Sequence, residues 1–164
     1  MKALPVPYLK QDTDYTCGPT SLQMVLEYYG AVHSEAKLAR QMQTSSEMGT
    51  CPLQMQEIAL KHGFYCYVNK EASYEEMIFL LSLGVPPIVR FIEPDENEDH
   101  YSVVVAANKD KITINDPWNG PEQEFSKTDF IKRWTSNMIV DCNQWLMAVS
   151  PDLLPLGKQF HPYG

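Results

Sequence analysis

Cys17 is the residue best suited to chemistry in this 164-residue chain. An extended, proline-marked stretch gives way there to a helical pattern, and Gly18 and Pro19 follow directly. Proline is tolerated in a helix only within the first turn, so this order sets the sulfur at a helix N-terminus. Unpaired N–H groups and the positive end of the helix dipole stabilise a thiolate there. Gly18 leaves room for a substrate carbonyl beside the backbone. Six residues upstream, the Gln11 side-chain amide can reach back to the same helix start. With the Cys17 backbone N–H it would make an oxyanion hole.

A thiolate that attacks an amide also needs a proton donor for the leaving amine, and histidine serves best near neutral pH. Four histidines compete. His33 and His62 flank helix ends beside Gly30 and Gly63, and His161 lies in the C-terminal tail. His100 opens the strand-like run Tyr101 to Ala107, and the mouth of a rigid strand holds a side chain firmly. The third group required is one that fixes the histidine tautomer. Asp116 ends the next strand, and across a hairpin residue 100 falls roughly opposite 116 to 118. Trp118, beyond Pro117, would shield the site. The acidic run Glu93 to Asp99 directly precedes His100. It reads either as a solvated loop or, through Asp99, as a contact for a basic substrate.

These groups need a frame. Leu22, Val25, Leu26 and Tyr29 share one face of a helix that ends at Gly30. Ser34 caps a second helix from Glu35 to Met42, with Leu38 and Met42 inward. A loop from Thr44 to Cys51 leads to a third helix, about Pro52 to His62. Phe64 to Asn69 alternates like a strand, and Ser73 caps a fourth helix through Leu83. Pro87 to Ile92, Tyr101 to Ala107, Lys111 to Asn115 and Gln144 to Ser150 read as further strands, with a short helix from Ser126 to Trp134. Asn108 to Lys111 is a hairpin loop. Helices first and antiparallel strands later describe an α+β domain with a cleft between its halves. One domain is expected over residues 1–164, with 151–164 as a surface tail.

The formal net charge is −8, from 21 acidic against 13 basic residues. That balance argues against nucleic-acid or anionic-membrane partners, which require basic residues to neutralise phosphates. Pro5 and Pro7 interrupt the only N-terminal hydrophobicity, so no signal peptide is read. The most apolar stretch, Ile78 to Ile92, holds Gly84, Pro86, Pro87 and Arg90 and does not suit a membrane span. A reducing cytoplasm is the expected compartment, in which disulfides among Cys17, Cys51, Cys66 and Cys142 are disfavoured. The cysteines and histidines lack zinc-type spacing, the eight methionines suggest packing, and neither metal nor cofactor is expected. Trp118, Trp134 and Trp145 read first as core residues.

Gln11…Cys17-Gly18-Pro19…Tyr28-Tyr29-Gly30, then Asp99-His100-Tyr101-Ser102-Val103-Val104, then Asn115-Asp116-Pro117 resembles the bacteriocin-processing, double-glycine leader peptidase family of the papain-like clan. The likeness spans most of residues 5–149 and includes spacing as well as residue types. It implies a papain-like fold, with Cys17 as nucleophile, His100 as base, Asp116 as its orienter and Gln11 in the oxyanion hole. A peptide or protein substrate and cleavage after Gly-Gly type sites are likewise implied. Many members form the front end of a membrane exporter, and Gly18-Pro19-Thr20-Ser21 matches the free-standing relatives, so an exporter or carrier partner stays undefined. The triad itself suits a peptidase, a deamidase or an acyltransferase, and a papain-like cleft can also hold a peptide without cutting it. Retention of Cys17 with His100 and Asp116 favours the enzyme.

Overall fold

The computed structural model describes residues 2–140 and 142–163. Three helices come first: α1 (Cys17–Tyr28), α2 (Glu35–Gln41) and α3 (Pro52–Lys61). The chain continues through β1 (Tyr65–Asn69), α4 (Tyr74–Ser82), β2 (Ile88–Ile92), β3 (Asp99–Ala107), β4 (Lys111–Asp116), β5 (Gly120–Ser126), α5 (Lys127–Arg133) and β6 (Leu146–Ser150). Local chemistry sets the helix ends. Ser34, Ser73 and Ser126 each accept a hydrogen bond from the backbone N–H three residues on. Such a cap stabilises a helix by about 1 kcal/mol. α1 stops at Gly30, whose φ of +89° is left-handed and open to glycine at little cost.

The strands form one antiparallel sheet in the order β1-β6-β2-β3-β4-β5. Successive side chains of β3 point to opposite faces. Tyr101, Val103 and Val105 face α1 and α3, with Leu22, Leu26, Met147 and Val149. Val104 and Ala107 pack on the other side with Phe91, Ile112, Ile114, α4 and Phe130 of α5. The N-terminal helical half lies on the sheet as the sequence indicates, and α4 and α5 cover the second face. Cover on both faces explains why β2, β3 and β6 are almost entirely buried. Each large apolar side chain so buried contributes about 1.5–3 kcal/mol.

A bulge in the β3–β4 hairpin matters for the site. Ala106 pairs with Thr113, but Val104 pairs with Ile114, so Val105 is an extra residue on β3. Carried past the Val103–Asn115 pair, this register sets residue 116 opposite 102. Residues 100, 102 and 116 therefore share a face. Without the extra residue, the Asp116 side chain would emerge on the other face from His100.

Two elements differ from the sequence reading. β5, where the sequence reading has no strand, lacks apolar alternation because it is an edge strand, largely exposed, whose ladder runs along β4 alone. The C-terminal segment runs over the surface yet also joins the sheet's other edge. Phe160 exchanges backbone hydrogen bonds with Cys66 of β1, and the Tyr163 N–H donates to the Leu60 carbonyl.

Candidate active site

Four pieces of chain converge at one end of the sheet: the start of α1, the start of β3, the end of β4 and the N-terminal segment 4–11. That segment is extended and tied down along its length. The Leu4 N–H donates to the Val105 carbonyl, and the Gln11 N–H donates to that of Pro117, both at 2.9 Å. Between them the Tyr8 hydroxyl donates to the Asp116 carbonyl at 2.8 Å, and Asn115 Nδ2 to the Val6 carbonyl at 3.3 Å. Gln11 is thereby held against the Asp116–Pro117 turn. Cys17 is the first residue of α1 and half-buried.

His100 Nε2 lies 2.6 Å from Asp116 Oδ1, and both residues are buried. Asp116 also accepts from the backbone N–H groups of Trp118 and Asn119 and, through Oδ2, from Asn119 Nδ2. Burial alone would raise the Asp116 carboxyl, but the His100 hydrogen bond and charge, with these N–H groups, hold it below the usual carboxylate range. His100 shares its other hydrogen bond with Cys17. Since Nε2 faces Asp116, Nδ1 is the nitrogen left for the sulfur. Burial works against the imidazolium, yet the Cys17 charge and the Asp116 bond push His100 up to about 10. Burial also works against the thiolate. The His100 charge and hydrogen bond, the Tyr101 N–H and the Arg90 charge bring Cys17 below its ordinary value. Opposite shifts on two touching groups describe a thiolate–imidazolium pair, the ionised form that attacks a carbonyl.

The pair opens into a cleft of about 510 Å³. Gln11, Tyr15, Thr50, Tyr101, Trp118 and Met138 contribute to its walls, and the exposed carboxylates of Asp14, Glu47, Glu96 and Glu98 stand around it. The other three histidines lie outside it. His33 and His62 lie against each other, their rings tilted by 47° with centroids 4.2 Å apart, and His161 packs on Tyr65.

Residues 5–144 match the peptidase C39 family. The chain belongs to the peptidase C39 family. It is 30% identical over 135 residues to PedD, the pediocin PA-1 transport/processing ATP-binding protein of Pediococcus acidilactici, covering 81% of this chain and 18% of PedD. Against ComA, the transport/processing ATP-binding protein of Streptococcus pneumoniae, identity is 30% over 153 residues, covering 93% of this chain and 20% of ComA. The chain thus spans about a fifth of the length of these curated relatives. Among solved structures, the peptidase domain of Streptococcus ComA superposes with a TM-score of 0.73 at 26% identity, covering 90% of this chain and 99% of that one. A double glycine motif protease from an AMS/PCAT transporter, solved with the leader peptide, gives 0.72 at 21% identity, covering 92% and 94%, and shares the fold. The chain is a cysteine peptidase with a papain-like fold.

Against that family background, several expected site residues have different surroundings. Gly18 is absent from the cleft wall. A Cβ there would sit 2.9 Å from the Cβ and Oγ1 of Thr50, so the glycine permits the close approach of loop 44–51 to α1. Asp99 borders the cleft, but its carboxylate is enclosed, bound to Arg90 and to Ser136, Asn137 and Met138, and is not open to a basic substrate. Glu93 likewise turns inward to accept from the Asp95 and Glu96 N–H groups. Gln11 lines the cleft, yet its Nε2 already donates to the Thr13 carbonyl at 2.6 Å, which leaves one N–H for an oxyanion. Trp134 and Trp145 are core, whereas Trp118 is 41% exposed on the cleft wall. The sequence reading missed Asn119, Tyr101 and Arg90. An Asx-type turn signal in Asp116-Pro-Trp-Asn119 pointed to the first, and a lone arginine inside an apolar run pointed to the last. Among the described residues, no helix is long and apolar enough to cross a membrane.

Proposed function

We propose that this C39 peptidase cleaves peptide bonds through Cys17, His100 and Asp116. The carrying observation is one imidazole bonded on one side to a buried carboxylate at 2.6 Å and on the other to a depressed thiol, at the floor of an open cleft. The Cys17 thiolate attacks the scissile carbonyl. The oxyanion receives the Cys17 backbone N–H and the remaining Nε2 hydrogen of Gln11. The His100 imidazolium then gives its proton to the leaving amine, which leaves a thioester. His100, now neutral, takes a proton from water, and the hydroxide so generated adds to the thioester, releases the acid and expels the Cys17 thiolate, which restores the thiolate–imidazolium pair. Asp116 keeps the ring in one tautomer and balances its charge.

The substrate we propose is a peptide cut after a Gly-Gly or Gly-Ala pair. The family membership supports this, as does the likeness to a double glycine motif protease solved in complex with the leader peptide. The exposed carboxylates around the cleft favour Lys or Arg beyond the cut, by a modest, salt-sensitive amount. Deamidation or acyl transfer would use the same groups, so the deciding experiment reads products. Peptides carrying Gly-Gly before a basic segment are incubated with the protein, and masses are compared with those from Cys17→Ala. Two fragments summing to peptide plus water support the proposal. A loss of ammonia, or a transferred acyl group without hydrolysis, contradicts it.

A further inference from the structure

Arg90 sits between Val89 and Phe91 in β2, and its side chain is 5% exposed. A guanidinium taken from water is costly unless paired. Its partner is Asp99, 3.1 Å away and 2% exposed. Asp99 does not serve Arg90 alone, because it also accepts from Ser136 Oγ at 2.6 Å, the Asn137 N–H at 2.9 Å and the Met138 N–H at 3.2 Å. The carboxylate charge is shared among these donors, and Arg90 Nε has no hydrogen-bond partner. The strand register sets Arg90 across from Tyr101, with the guanidinium carbon 4.8 Å from the ring centroid. Tyr101 in turn points its N–H at the Cys17 sulfur and fixes its hydroxyl on the Thr50 carbonyl at 2.8 Å. Arg90 and Cys17 border the same cleft.

We propose that Arg90 is a positioning residue for the C39 reaction: its partly neutralised charge favours the ionised Cys17–His100 pair, and its packing on Tyr101 keeps the thiolate's N–H donor in place. The inference rests on reading Cys17 as the nucleophile. Attraction from a buried cation reaches farther than it would in water, and Arg90 is among the groups that draw Cys17 down. The groups facing Cys17 are His100 and the Tyr101 N–H from β3 and Arg90 from β2. Asp116 stands behind His100, and burial holds the Tyr101 phenol neutral, far above its usual range. Asp14, Glu47, Glu96 and Glu98 border the cleft in water, where salt screens them. The sign follows. Removing Arg90 weakens the thiolate, whereas removing the Asp99 charge leaves Arg90 less neutralised and strengthens it.

The test is the rate of iodoacetamide alkylation at Cys17, mapped by mass spectrometry across pH, in wild type, Arg90→Met, Arg90→Lys and Asp99→Asn. At about pH 5, Arg90→Met should alkylate roughly three- to tenfold more slowly than wild type and converge with it near about pH 9, where an ordinary thiol also ionises. Arg90→Lys should recover most of the low-pH rate, and Asp99→Asn should be no slower than wild type. A purely structural role would slow Arg90→Met and Asp99→Asn together at every pH, which overturns the proposal, as does an Arg90→Met profile that superimposes on wild type. Should Arg90→Met fail to fold, Asp99→Asn still decides, because a slower low-pH rate in that variant contradicts the sign. A wild type with no enhanced low-pH rate is a separate failure, that of the nucleophile reading.

Discussion

Two cysteines in this molecule are both short of water, and their thiols move in opposite directions. Cys66 lies on β1 in the core, where burial is the cause acting on it and pushes its thiol up to about 12. Cys17 at the start of α1 is opposed by burial too, but His100, the Tyr101 N–H and Arg90 more than offset it. The histidines repeat the contrast. His100, between a carboxylate and a thiolate, rises to about 10. His62 and His33 are lowered, first by burial and then by neighbouring positive charge, with Lys37 acting on both. A low-dielectric site protonates a thiol left alone and ionises one given a partner, because the same exclusion of water strengthens the attraction between charges. Reactivity here is a property of the neighbours.

The strongest way to break that comparison is to remove each sulfur in turn. Cys17→Ala should cut peptide cleavage by at least about a thousandfold, whereas Cys66→Ala should leave kcat/KM within a few-fold. Fragment yield by mass spectrometry measures both. Substantial cleavage by Cys17→Ala would detach the chemistry from the perturbed thiol.

Asp116→Asn tests the other end of the pair. The variant keeps an acceptor for His100 but removes its charge, so kcat/KM should fall about ten- to hundredfold. The carboxylate raises His100, so its loss lowers the histidine. The alkaline limb of the kcat/KM profile, near about 10 in wild type, should move to lower pH. Stability carries the same sign. The His100 contribution is fully present below its unfolded value of about 6.5. It is lost as pH rises through about 10. An unmoved alkaline limb would mean that Asp116 acts on shape alone.

How much of this was legible in the sequence depends on whether a signal is local. Cys17-Gly18-Pro19 states a helix start in three residues, and His100 precedes an unbroken run of strand formers, so both could be placed from their immediate neighbours. The serine caps and Gly30 are equally local. What escaped is set by distant partners. Asp99 looks like one more charge in an acidic loop, and only the fold brings Ser136 to Met138 against it. The bulge at Val105, which puts Asp116 on the His100 face, is a matter of register between two strands with no mark in either. β5 was missed because an exposed edge strand with Glu122 and Glu124 lacks the apolar alternation that reveals buried strands.

Smaller effects sharpen the distinction between groups that react and groups that only hold them. Gly18→Ala forces a methyl to 2.9 Å from Thr50 and should destabilise by about 1–3 kcal/mol in urea unfolding. Its cleavage loss should follow the displacement of loop 44–51. Stability equal to wild type would contradict the packing role. Ser34→Ala removes the cap of α2, which contributes no residue to the cleft wall, and should cost about 1 kcal/mol with kcat unchanged. A kcat change there would tie α2 to the site.

The most direct measurement is the pH dependence of alkylation at Cys17, with the exposed Cys51 as internal standard in the same protein. An ordinary thiol with a pKa of about 8.5 is well under 1% ionised at about pH 6. The Cys17–His100 pair predicts that Cys17 stays at least about tenfold faster than Cys51 there, its rate falling only at lower pH as the thiolate is protonated. Parallel loss of both rates, about tenfold per pH unit from neutrality downward, would contradict the ionised pair.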